Sequence, residues 1–197
     1  MKKLAVFCGS SLGYNEVYRN EAIKLGSYFV KNNIAMVYGG GKIGMMGAIA
    51  NTILAQKGEV IGVIPNLLRH EEVAHSTLTN MIVTKTMSKR KIEISKLVDG
   101  YIALPGGFGT IDEIFEALTL NQLGIEQKPV AILNTNGYFN PLIEQLNIME
   151  TEGFLNAANK KMLLVSDSVP DLMKQIKSYI KPNKTEVISK IVTHEKH

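Results

Sequence analysis

Ile34-Ala35-Met36-Val37-Tyr38 runs directly into Gly39-Gly40-Gly41-Lys42-Ile43-Gly44-Met45-Met46-Gly47, and this passage decides the fold. Five residues, apolar throughout, read as a strand buried on both faces, the habit of parallel sheets. Glycines follow where the chain must turn tightly, and a helix-periodic stretch, Met45–Lys57, begins immediately after them. Strand, glycine turn and helix make the first half of a βαβ unit. Working outward, the same alternation recurs. Strands are predicted at Leu4–Cys8, Ile34–Tyr38, Val60–Ile64, Met81–Thr84, Tyr101–Leu104, Val130–Leu133 and Met162–Val165. Helices are predicted at Glu16–Lys31, Met45–Lys57, Ser88–Val98, Ile111–Leu123, Tyr138–Glu152 and Pro170–Ile180, the last with Ser168 as N-cap and Pro170 in its first turn. This order predicts the α/β class: a single Rossmann-like doubly wound domain over residues 1–180. Its mainly parallel sheet of about seven strands is flanked by helices through right-handed crossovers.

Composition narrows the function classes. The chain has 197 residues, 45% hydrophobic and 20% charged, as a globular protein does. Its longest apolar runs are of strand length, well short of the ~20 residues that span a bilayer. Leu4 to Cys8 is also too short for a signal-peptide core. A single cysteine, Cys8, allows no internal disulfide, and the chain reads as cytoplasmic. Of the net charge of +4, half belongs to residues 181–197, where four lysines face Glu186 and Glu195. That segment reads as a charged C-terminal extension with a short apolar contact through Val187, Ile188, Ile191 and Val192. Without a basic stripe interleaved with aromatics, and with no tryptophan, nucleic acid is not an expected partner, and neither is a membrane.

Doubly wound sheets bind ligands beyond the carboxyl ends of their strands, near the point where strand order reverses. Three turns at such ends are unusual. Gly9-Ser10-Ser11 follows the first strand, Gly39–Gly47 the second, and Pro105-Gly106-Gly107-Phe108-Gly109-Thr110 the fifth. Gly9, Ser10, Gly40 and Gly41 are therefore candidate substrate contacts. Gly39, Gly41 and Gly44 fit GxGxxG between a strand and a helix. The turn follows the second strand, however, and Ile64-Pro65-Asn66, about 20 residues on, lacks the carboxylate that holds a dinucleotide ribose. Met45-Met46 after Gly44 also excludes a Walker A loop. These glycines touch a phosphate or ribose, or they simply permit a tight turn and close helix packing.

The third turn says more. Glycines at 106, 107 and 109 let backbone N–H groups approach an anion, and the following helix adds its positive end. Thr110 and Glu113 also fit a capping box, Thr110 at N-cap and Glu113 at N3, which would make Glu113 structural. Met87-Ser88-Lys89-Arg90-Lys91 bears on that choice. Ser88 reads as an N-cap, yet three cations follow in the first turn, where the helix dipole disfavours each by ~0.3–1 kcal/mol. An anionic ligand, or a carboxylate such as Glu113, would reverse that sign; a solvated basic turn is the plainer alternative. His70 and His75 flank Glu71-Glu72 without zinc-motif spacing, and no metal is expected. Cys8 reads as a small buried hydrophobe, and the methionines at 36, 45, 46 and 87 as core or pocket filling.

At these turns the chain resembles the Lonely Guy family, often labelled "possible lysine decarboxylase". Pro105-Gly106-Gly107-Phe108-Gly109-Thr110-Ile111-Asp112-Glu113 carries the signature P-G-G-x-G-T-x-x-E at every fixed position. The similarity extends to Val6–Ser11, to Tyr38–Gly41 with Gly44 and Gly47, and to Glu72-Val73-Ala74-His75. It continues through Met87 with Arg90-Lys91, Gln122-Leu123-Gly124 and Lys128-Pro129-Val130. The resemblance implies a phosphoribohydrolase acting on the N-glycosidic bond of cytokinin riboside 5′-monophosphates or AMP. It also implies a homodimer that needs neither metal nor organic cofactor. By position, Arg90 and Glu113 become the catalytic pair, and Glu72, Lys91, Gly107, Gly109, Thr110, Asp112 and Thr119 line the nucleotide site. The chain departs from the family pattern at Ser88, often His, and at Thr119-Leu120-Asn121-Gln122, which lacks the usual Trp.

The implied chemistry is coherent. Breaking a base–ribose bond passes through an oxocarbenium-like state, which a carboxylate stabilises. Arg90 is expected to hold Glu113 ionised and in place. A nucleotide sensor that binds without cleaving is the alternative; it would need the glycines and Thr110 but not the Arg90–Glu113 pair. A decarboxylase would need a pyridoxal phosphate lysine, and neither Lys42 nor Lys91 sits in such a context.

Overall fold

In a computed structural model, residues 1–69 and 74–180 are described. Seven strands form one all-parallel sheet: β1 (Lys3–Phe7), β2 (Ala35–Tyr38), β3 (Val60–Pro65), β4 (Asn80–Thr84), β5 (Tyr101–Ala103), β6 (Val130–Leu133) and β7 (Leu163–Ser166). Their spatial order is 4-3-2-1-5-6-7. The chain winds outward from β1 to β4, returns to lay β5 against the free side of β1, and winds out the other way. Phe7 pairs with Ala103, so β1 and β5 end level with one another. Between their carboxyl ends lies the crevice of a topological switch point.

Burial on both faces accounts for the uniformly apolar strands. In β1 and just beyond, Leu4, Val6 and Cys8 point to one side, where Leu25 and Phe29 of α1 (Glu16–Lys31), Ile49 and Ile53 of α2 (Gly44–Ala55), and Leu172 and Ile176 complete the layer. Ala5 and Phe7 point to the other side, toward residues of two central helices. A side chain such as Phe29, fully buried here, contributes ~1.5–3 kcal/mol by leaving water. The remaining helices are α3 (Asn66–Arg69), α4 (Met87–Leu97), α5 (Phe108–Gln122), α6 (Asn140–Thr151), α7 (Ala157–Lys160) and α8 (Val169–Lys177). Among the described residues, no helix is long and apolar enough to cross a membrane.

The expected elements are present with shifted ends and two additions, the single turns α3 and α7. The helix expected from Tyr138 starts instead at Asn140, with Pro141 in its first turn, and a 3-10 turn, Thr135–Gly137, precedes it. The cap expected at Ser88 belongs to Thr86, whose hydroxyl accepts from the Lys89 N–H at 3.2 Å. The capping box expected at Thr110 and Glu113 does not form. With Gly107 as N-cap, α5 starts at Phe108, so Thr110 is already inside the first turn and Glu113 points elsewhere. Ser168 is the N-cap of α8, though without a side-chain cap bond. The apolar contact expected at Val187–Val192, with the rest of 181–197, lies outside the described residues.

Candidate active site

The site grows from two turns stitched across the switch point. The Gly9 N–H donates to the Pro105 carbonyl at 3.0 Å. The turns approach so closely that a Cβ on Gly106 would stand 2.2 Å from the Thr110 hydroxyl and 2.7 Å from the Gly9 nitrogen. The Met45 N–H donates to the Gly9 carbonyl at 3.1 Å, tying the start of α2 to the same point. Gly44 has φ +62°, and a Cβ there would lie 2.3 Å from the Ser10 carbonyl. From behind, the Tyr138 hydroxyl donates to the Gly106 carbonyl at 2.6 Å.

These contacts frame a cavity of about 300 Å³. Cys8, Gly9 and Ser10 form one wall, Gly107, Phe108, Gly109 and Thr110 a second, and Gly39, Met46, Met87, Arg90 and Glu113 the rest. The second wall is the amino end of α5. In that first turn the N–H groups of Phe108, Gly109 and Thr110 have no helical carbonyl to reach, and the dipole favours negative charge. A Cβ on Gly107 or on Gly109 would meet no atom within 4 Å, unlike one on Gly44 or Gly106. Protein packing does not demand glycine at 107 or 109. The face they keep open is the one an anion would approach.

Opposite stands an ion pair. Arg90, in the first turns of α4, donates through Nη2 to Oε1 of Glu113, on the second turn of α5. Their side chains are 12% and 10% exposed, and the Arg90 Nε is buried with no acceptor among the described residues. Burial pushes Glu113 up to about 7, against the pull of Arg90 and Lys91 and with the help of Asp112. Arg90 favours the charged carboxylate, as expected, but desolvation outweighs the guanidinium, and the carboxyl exchanges its proton near neutrality. Cys8 faces the same carboxyl, and burial followed by the Glu113 charge pushes its thiol up, so it remains a neutral thiol.

Two of the three cations that open α4, Arg90 and Lys91, find their counter-charge on α5. Lys91 bonds Asp112 Oδ2 at 2.7 Å and also Glu116. Burial pulls the Lys91 pKa down, but these two carboxylates outweigh it and raise it. Lys91 and Asp112, expected at the substrate, thus bond one another, and neither lines the cavity. Gly40 and Gly41 also lie outside the lining, which the turn enters through Gly39. Thr119, two turns beyond Glu113, donates to its own Phe115 carbonyl and faces a separate groove beside α6 and α7. Glu72 lies outside the described residues. Of the residues singled out, the structure brings Gly9, Ser10, Arg90, Gly107, Gly109, Thr110 and Glu113 to one cavity. Gly39, read as a possible phosphate or ribose contact, lines it too, while sequence reasoning missed Phe108, which stands at the variable position of the signature.

Behind the Gly39–Gly41 turn, His75 is buried. Its backbone N–H donates to the Gly40 carbonyl at 2.9 Å. Its Nε2 lies 3.0 Å from Asn51 Oδ1, and its Nδ1 accepts from the Thr77 N–H at 3.4 Å. Burial and then the Lys42 charge hold its pKa below the usual value, which fits a neutral ring donating from Nε2.

The sequence model of the family described as "Possible lysine decarboxylase" matches residues 46–176. Cytokinin riboside 5′-monophosphate phosphoribohydrolase LOG1 of Arabidopsis thaliana is 40% identical over 189 residues, covering 96% of this chain and 88% of its own. The corresponding LOG7 of the same plant is 37% identical, covering 98% and 89%. Among solved structures, the molybdenum cofactor binding protein of Rippkaea orientalis superposes with a TM-score of 0.66 at 22% identity, covering 90% of this chain and 96% of that one; at such identity the likeness is one of fold. Matched over most of its length in sequence, the chain belongs to the Lonely Guy family, which the "possible lysine decarboxylase" description covers.

Proposed function

We propose that this chain is a phosphoribohydrolase that cleaves the N-glycosidic bond of cytokinin riboside 5′-monophosphates, AMP or both, yielding free base and ribose 5-phosphate. The observation that carries this reading is the buried Arg90–Glu113 pair facing the open amino end of α5 across one cavity. The phosphate sits on the free N–H groups of Phe108, Gly109 and Thr110, and this remote binding energy places the ribose. Glu113 then lies at the anomeric carbon. As the base leaves with the bonding electrons, the Glu113 carboxylate stabilises the developing cation and takes a proton from the attacking water. Water supplies both the hydroxyl that ends on C1′ and the proton that ends on the base. Arg90 orients Glu113 through its guanidinium, and its Nε–H, without an acceptor among the described residues, offers a donor to the ligand.

The relatives' names support the substrate class. No step above requires a metal or organic cofactor. We further propose a cytoplasmic homodimer, in keeping with the family resemblance and the single buried cysteine. The test is to incubate the chain with AMP and with isopentenyladenosine monophosphate, with no cofactor added, and to quantify free base by chromatography. Base and ribose 5-phosphate in equal amounts are expected. Tight nucleotide binding without base release would instead establish a sensor.

A further inference from the structure

The Arg90 guanidinium does not rest on Glu113 alone. A Cβ on Gly39 would lie 3.3 Å from Arg90 Nη1, so the backbone of the turn after β2 is the surface behind the guanidinium. That turn is itself held from outside. The Tyr38 hydroxyl donates to the Gly41 carbonyl at 3.0 Å. Gly41 also bridges antiparallel to Ala74, and Gly40 accepts from the His75 N–H. Gly40 has φ +79°, so the turn keeps a shape only glycine takes readily, and its position depends on what it is tied to. The segment that crosses it, Ala74–Thr77, is fixed by one side chain. His75 reaches Asn51 on α2 with Nε2 and receives the Thr77 N–H at Nδ1. His75 thus joins α2 to the crossing segment through its imidazole, and the crossing segment to the glycine turn through its backbone N–H.

We infer that His75, with Asn51, is a positioning residue for the Arg90–Glu113 pair: it clamps Ala74–Thr77 across the glycine turn and so sets the backbone on which the Arg90 guanidinium rests. His75 touches neither member of the pair and does not line the cavity. Its effect passes through Gly40 and Gly39, and displacements of about 1 Å at such a pair cost as much as ~100-fold in rate. The phosphate-binding end of α5 is not part of this chain of contacts, so turnover should suffer while phosphate affinity does not.

The kinetic half of this inference rests on the proposed hydrolase activity; the titration half does not. Three variants serve: His75→Phe, which keeps ring volume, His75→Gln, which keeps a donor for Asn51, and Asn51→Leu, at an exposed helix position that leaves folding intact. His75→Phe and Asn51→Leu should each lower kcat by about tenfold or more, with KM for AMP within about threefold of the wild type. Their combination should be no worse than either alone, and His75→Gln should recover most of the loss. Wild-type kcat per folded molecule in His75→Phe, with only a lower Tm, overturns the inference. The second measurement follows the Glu113 carboxylate by infrared difference against Glu113→Gln. The charged and titrating groups around it are Arg90 and Lys91 from α4, Asp112 from α5 and Cys8 after β1, and none of them is substituted. A shifted Arg90 holds the carboxylate less well, so the midpoint in His75→Phe should rise; an unchanged midpoint overturns the inference. If the wild type releases no base, the hydrolase reading falls, and the titration alone decides on the clamp.

Discussion

Glu113 is a carboxyl on which two effects of opposite sign meet. Burial raises its pKa from the ordinary 4.5 to about 7, and Arg90 keeps it from rising further. The sign follows directly. The folded protein holds this proton across a range in which an unfolded chain has released it, so the group favours folding most below 4.5, and that contribution is lost as pH rises through about 7. Catalysis runs the other way, because the reaction needs the carboxylate. The pH profile of kcat/KM should therefore climb with a midpoint near 7 and level off above it. Removing the guanidinium with Arg90→Met should move that limb to higher pH and lower the plateau by ~10²–10³, as losing a preorganised charged donor does. A limb near the ordinary 4.5 in the wild type would mean that Glu113 is not the titrating group.

At the scale of elements, the amino end of α5 makes the sharpest contrast. Ala at Gly109 meets none of the described protein atoms, and in a helix first turn alanine is preferred to glycine by up to about 1 kcal/mol. Gly109→Ala should melt at or above the wild-type temperature while KM for the nucleotide rises at least tenfold, because the methyl group stands where phosphate approaches. Gly44→Ala should behave oppositely, losing stability outright, since φ is +62° and the new Cβ collides with the Ser10 carbonyl. Thermal melts and nucleotide titrations distinguish the two classes. The same helix shows how far the sequence could be read. Its existence, its glycine entrance and its acids were legible from spacing. Its first residue was not, because glycine carries no capping side chain to mark a start and Thr110 offered a false one. That three-residue difference decided whether Glu113 capped its own helix or faced Arg90. The three cations opening α4 were the usable signal, for they contradict the dipole unless something anionic faces them, and Glu113, Asp112 and Glu116 face two of them, Arg90 and Lys91. Thr119 was legible only through family position and Gly40 only through its place in a strand-end turn, and neither says on which face of an element a group falls.

The whole molecule explains why the cavity is where it is. A sheet ordered 4-3-2-1-5-6-7 has one place where neighbouring strands send their chains to opposite sides, between β1 and β5. The turns after those strands carry the anion-facing glycines, and α4 and α5 bring Arg90 and Glu113 to the same opening. Large apolar side chains also remain on the surface at the end of α5 and along α6, including Leu123, Ile125, Ile148 and Phe154. A second copy would cover such a face, so sedimentation should report twice the chain mass of 21.7 kDa, and aspartate at Ile125 and Ile148 together should lower it toward the monomer. A monomer at all concentrations would remove the dimer from the account without touching the site. The central claim, that a buried carboxylate in this cavity breaks a base–ribose bond, is tested most directly by base release from AMP and isopentenyladenosine monophosphate with wild type and Glu113→Gln in parallel. The account predicts release by the wild type and a loss of at least ~10²-fold in the variant, with nucleotide binding retained. Equal release by both proteins would contradict it.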